Sequence, residues 1–257
     1  MIPKNSHGQR LDRSRILTIV SPLLTLSFLL LQACSAKTVD PESASREAHR
    51  LRLAVEQQYP EYSLSRSQAQ LVPPFLLELT QRLAAALAGA GRPLPYTVEI
   101  YLCDSAQPLA LSPGPGLIVV SSSLLRTLPS EAALAFVLAH ELAHHAYGHL
   151  LQIQNQELTS PEQLQEWEGS ADRLALGIVA IAGYDPWHAL LALNSGYRAL
   201  APEALANTVS SPGQGASHPS LNQRSSAVRE QIIASGWRGP AIETRRIFRK
   251  VQASLRG

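Results

Sequence analysis

The chain has 257 residues, 45% of them hydrophobic, and carries 22 basic against 20 acidic side chains for a formal net charge of +2. That length suits one domain with short appendages, and the apolar fraction is ample for a core. So small a charge leaves no basic field of the kind that draws nucleic acid, and no nucleic-acid motif is present.

The N-terminus reads in three parts. Lys4, Arg10, Arg13 and Arg15 stand against Asp12, residues 16–31 are apolar, and Leu31-Gln32-Ala33-Cys34 follows. Basic, apolar and small-residue regions in that order predict a secretory signal. The apolar run holds 16 residues, short of the ~20 that span a bilayer. A cysteine after a small residue resembles a bacterial lipoprotein processing site, where Cys34 would become the new N-terminus and carry the lipid. An uncleaved anchor and an ordinary cleaved signal are the alternatives. On the lipoprotein reading the chain sits in the bacterial cell envelope, lipid-anchored to a membrane and facing the periplasm. Ser35 after Cys34, rather than an aspartate, points to the outer membrane. The division is then 1–34 signal ending at Cys34, 35–45 flexible tether, and 46–257 a single domain. Beyond residue 34 the balance is 18 basic to 19 acidic residues.

Segments 46–58 and 68–88 read as helices, the second with Leu76, Leu77, Leu79, Leu83 and Leu87 at helical spacing and Pro73 and Pro74 at its first turn. Residues 96–103 alternate as a half-buried strand, with Val98, Ile100 and Leu102 facing one way and Thr97, Glu99 and Tyr101 the other. Cys103 ends that strand as a small buried hydrophobe. Residues 112–116, Ser-Pro-Gly-Pro-Gly, predict a turn, and residues 117–120 a short apolar strand. Ser130 caps a helix that runs to about His149. Ser160, Pro161 and Gln163 open another, which should end at Gly183 with Pro186 beyond it. Residues 186–200, 221–235 and 241–255 also read as helical, and 207–216 as a loop.

The chemistry lies in Val137-Leu138-Ala139-His140-Glu141-Leu142-Ala143-His144, an H-E-x-x-H run in an apolar helix. Two imidazoles four residues apart project from one helix face and can grip one metal ion, and the adjacent carboxylate can act on a water there. Hydrolysis by zinc needs three protein ligands and an open position. The helix capped by Ser160 offers Glu168 and Asp172, four apart and on one face. Glu168 can coordinate while Asp172 accepts from a ligand histidine. Glu166 is the rival third ligand, but its partner four residues on is Ser170. His145 and His149 fall off the metal-facing side and read as structural.

These residues resemble the M48 family of zinc metallopeptidases, of the gluzincin type. The resemblance runs over residues 96–224: the strand and Gly-Pro turn, the H-E-x-x-H helix, Glu168 to Leu176, Ala182-Gly183-Tyr184-Asp185-Pro186, and His218-Pro219 followed by Arg224. It implies a mainly helical α+β fold, a zincin-like metallopeptidase domain with a small β-sheet beside the H-E-x-x-H helix. It implies that His140, His144 and Glu168 hold one Zn2+ per chain, that Glu141 is the general base, and that Asp172 orients a ligand histidine. It places His218 near the metal, as an oxyanion donor or an occupant of the open position, and Arg224 as a partner of a carboxylate such as Asp172 or a brace for the loop. The strand at residues 117–120 is expected to pair with an extended substrate. Gly169-Ser170 departs from the family pattern and predicts a looser helix there. With no multi-span membrane region, the nearest type is a compact periplasmic lipoprotein peptidase acting on unfolded or misassembled envelope proteins. The competing expectation is a zinc-stabilised binding or chaperone-like module whose proteolysis is gated or vestigial, His218 closing the fourth metal position.

Overall fold

The computed structural model describes residues 40–154, 160–195, 198–199, 221–237 and 241–256. Cys34, the signal and the first part of the expected tether lie outside them, as do His218 and the loop at 207–216. The described elements are α1 (Pro41–Gln58), α2 (Arg66–Ala69), α3 (Val72–Gly89), β1 (Glu99–Cys103), β2 (Leu109–Gly114), β3 (Leu117–Ser121), α4 (Ser122–Thr127), α5 (Glu131–Tyr147), α6 (His149–Gln154), α7 (Pro161–Ile181), α8 (His188–Asn194), β4 (Arg198–Ala199), α9 (Leu221–Ser235) and α10 (Arg246–Leu255). This is a mainly helical α+β domain with one small sheet. Helix α1 starts at Pro41, not at residue 46, because Asp40 caps it by accepting from the Ser43 N–H and Pro41 fits the first turn. Residues 41–45 are therefore helix and not tether.

The sheet order is β1-β3-β2-β4, with β1 parallel to β3 and β2 antiparallel to it. Strand β2 is the main surprise, since its Ser-Pro-Gly residues predict a turn. They instead extend the strand to Gly114, and the reversal is confined to Pro115 and Gly116. Gly116 has φ +81°, and a Cβ there would meet the Ala48 side chain at 3.2 Å, so α1 lies close over the turn.

Both faces of the sheet are covered. Leu109, Leu111, Leu117, Val119, Tyr101 and Cys103 pack beneath Ala48, Leu51 and Val55 of α1. Ala110, Ile118 and Val120 point the other way, into the helical core. Alternation in β1 suggests one wet face; α1 supplies the second cover, and Tyr101 is buried.

Helix α5 is the centre of that core. Every residue from Glu131 to His145 is buried, as a helix apolar on all sides requires. It packs against α3, α7, α8 and β2. Ala135, Ala139 and Ala143 on α5, with Ala171 and Ala175 on α7, are fully buried small residues that let the two helices approach closely. Helix α7 continues without interruption through Gly169 and Ser170, whose hydroxyl donates to the Trp167 carbonyl. The looser helix expected there is not found, because the α5 contact holds that turn. The apolar helix α3, long enough by composition to cross a membrane when joined to α2, buries Val72, Phe75, Leu79, Leu83 and Leu87 in this same core.

The N-terminus of α5 is fastened to the C-terminal segment. Ser130 caps the helix by accepting from Ala133 N–H at 3.1 Å, and its hydroxyl meets Nδ1 of His188 at 2.5 Å. Glu131, fully buried, accepts from the Tyr184 hydroxyl at 2.6 Å and from the backbone and guanidinium of Arg245.

Candidate metal centre

Three side chains from α5 and α7 converge. The Nε2 atoms of His140 and His144 are 3.1 Å apart, Glu168 Oε2 lies 3.4 Å from the first, and Glu168 Oε1 lies 3.2 Å from the second. A tetrahedral ion with bonds of about 2.0–2.1 Å would set its donors about 3.3 Å from one another. The donor set therefore fits a divalent ion in size. It also fits in chemistry. Two buried imidazoles and the buried Glu168 carboxylate are donors of the kind a divalent cation takes.

Each imidazole is tied from behind. His140 Nδ1 lies 2.9 Å from Asp172 Oδ1, and His144 Nδ1 lies 3.0 Å from His149 Nδ1. The ring of His149 is stacked on Trp167 at 4.6 Å between centroids and on Tyr147 at 5.3 Å. Helical spacing by itself puts His149 off the metal face. The chain leaves that spacing at Gly148, which takes φ +70° and ends α5, so His149 opens α6 and swings back over His144. The signal was a glycine one residue before a histidine, which spacing rules alone do not interpret.

Asp172 also accepts two bonds from Arg224, from Nε at 2.8 Å and Nη2 at 2.6 Å, while Arg224 Nη1 lies 3.3 Å from Glu168 Oε2. Arg224 thus reaches from α9 to both carboxylates. Glu166, the rival ligand, is exposed on the far side of α7. Glu141 is buried beside His140 and accepts from the Ser112 hydroxyl on β2 at 2.8 Å. A turn at residues 112–116, which the sequence predicts, does not anticipate that partner.

Electrostatics follow the geometry. Burial disfavours charge on His140, but Glu168 and Asp172 outweigh it and push the imidazole up to about 10 in the metal-free protein. The site attracts a proton where a cation belongs. Burial works against the Asp172 carboxylate too, yet Arg224 and His140 hold it below its ordinary value. Burial and the nearby His144 push His145 and His149 down to about 3, so both are neutral. His145 instead meets the Tyr96 hydroxyl at 3.2 Å.

The strand expected to take substrate is placed differently. β3 lies between β1 and β2 and is hydrogen-bonded on both sides, so it offers no free edge. β2 is the strand beside the metal centre, and among the described residues β4 pairs with it only at Leu109 and Ala110.

Comparison with known families agrees with this arrangement. The model of peptidase family M48 matches residues 76–164, which include His140, Glu141 and His144. The model of Peptidase U49 matches residues 130–236, which add Glu168, Asp172 and Arg224. No curated protein sequence matches the chain.

Proposed function

We propose that this chain, which the model of peptidase family M48 matches over residues 76–164, is a zinc-dependent endopeptidase that cleaves unfolded or misassembled proteins. The observation that carries this reading is the convergence of His140, His144 and Glu168 within 3.4 Å, with Glu141 on the same helix. Zinc, when bound by those three residues, would supply Lewis-acid polarisation of the scissile carbonyl and a water acidic enough to lose its proton near neutrality. Glu141 takes that proton and later delivers it to the departing amine. Asp172 and His149 keep the two imidazoles in position, and Arg224 holds Asp172.

An extended substrate lies along β2 next to Glu141, a strand that among the described residues pairs with β4 only at Leu109 and Ala110. This geometry favours chains that are already unfolded. His218 serves as an oxyanion donor on the reading carried over from the family resemblance. The signal-like residues 1–34 support lipidation at Cys34 and a place in the bacterial envelope facing the periplasm, with misassembled envelope proteins as substrates.

The test is cleavage of casein by the purified chain, with and without chelator, beside Glu141→Gln. Wild type should be active, and chelation or Glu141→Gln should abolish cleavage. Equal rates in all three would refute the assignment.

A further inference from the structure

Ser112 is a polar residue on an otherwise apolar strand, and its surroundings give it one task. Alternation along β2 sends Leu109 and Leu111 toward α1 and Ala110 toward the helical core, so Ser112 follows Ala110 onto the face that meets α5. The ladder to β3 is irregular at this point. Leu111 pairs with Val119 and Gly114 with Leu117, so three steps on β2 span two on β3. Such a bulge leaves residues out of register and re-aims a side chain. Pro113 restricts Ser112 to extended backbone and has no N–H of its own to compete. The result is a buried hydroxyl that donates to Glu141 Oε2 at 2.8 Å.

We propose that Ser112 is a positioning residue for proteolysis, holding the Glu141 carboxylate through Oε2 in the orientation from which it takes a proton from the attacking water. The inference rests on Glu141 being the general base. A carboxylate on a free side chain samples several rotamers, and a base is effective only within hydrogen-bond reach of the proton it takes. A charge-assisted bond to Oε2 selects one orientation of the carboxylate. The same bond couples the substrate-binding strand to the base, so that a substrate seated on β2 and the group that activates its water share one support.

The test compares full-length wild type, Ser112→Ala, Ser112→Thr and Glu141→Gln on an internally quenched casein-derived peptide, with zinc content and thermal melting measured on each preparation. Rates are normalised to the folded, zinc-loaded fraction. Ser112→Ala should lower kcat about tenfold or more, a part of the roughly 10²–10⁴-fold that a positioned base contributes, with KM and zinc content close to wild type. Ser112→Thr, which keeps a hydroxyl on a strand-compatible side chain, should recover most of the loss. A Ser112→Ala enzyme with wild-type kcat overturns the proposal, as does a Ser112→Thr enzyme as slow as Ser112→Ala. If Glu141→Gln is inactive in the same assay, those two outcomes leave the peptidase reading intact. A fully active Glu141→Gln removes both readings.

Discussion

His149 and His144 face each other through their Nδ1 atoms at 3.0 Å, and this contact decides which nitrogen of His144 meets the metal. Burial keeps His149 neutral, so its Nδ1 can accept. With His149 accepting there, His144 donates from Nδ1 and turns Nε2 toward His140 and Glu168. His140 is oriented by a different route, its Nδ1 lying 2.9 Å from the carboxylate of Asp172.

His149→Phe should separate packing from hydrogen bonding. Phenylalanine keeps the stack between Tyr147 and Trp167 but cannot accept from His144. Zinc affinity should drop about 10–100-fold, read by competition with a chromogenic chelator, while the melting temperature of the metal-free protein changes little. A loss of fold without change in affinity would contradict the role.

Arg224→Met should be strongly destabilising. The guanidinium is the partner of buried Asp172 and touches Glu168, and removing one member of a buried ion pair costs about 3–5 kcal/mol. Urea unfolding of the metal-free variant measures it. Saturating zinc should shrink the deficit, since the cation balances the same carboxylates.

The pH dependence of the metal-free protein has two limbs. Asp172 is held below 3.8, so its contribution is present above that value and is lost as pH falls through the depressed one. His140 is raised from 6.5 to about 10, so its contribution is complete below 6.5 and is lost as pH rises through about 10. Chelator-treated protein should therefore be most stable between these limbs. With zinc bound the alkaline limb should disappear, because the metal replaces the proton on His140. Thermal melts across pH, with and without zinc, check both limbs.

Glu131→Gln should loosen the start of α5. It weakens a half-buried pair with Arg245 and a 2.6 Å bond from Tyr184, and a loss of about 1.5–3 kcal/mol is expected. Tyr184→Phe, which leaves the ion pair in place, should cost about 1–3 kcal/mol. Differential scanning calorimetry ranks the two.

Local spacing in the chain was enough to identify α5 with His140, Glu141 and His144, the capped helix α7 with Glu168 and Asp172 on one face, and a mainly helical fold. Such features depend on neighbours three or four residues apart, and helical geometry is the same wherever the helix lies. Tertiary structure decided the rest. It turned the Glu168 face of α7 onto α5, and it brought Arg224 to Asp172 across 52 residues. It also moved His149 over His144 by a left-handed glycine. It placed β3 inside the sheet and made β2, with Ser112, the strand beside the base. These contacts join parts of the chain that no repeat distance relates; they form only when burial of the alanine-rich faces of α5 and α7 and closure of the sheet over them fix where each element sits.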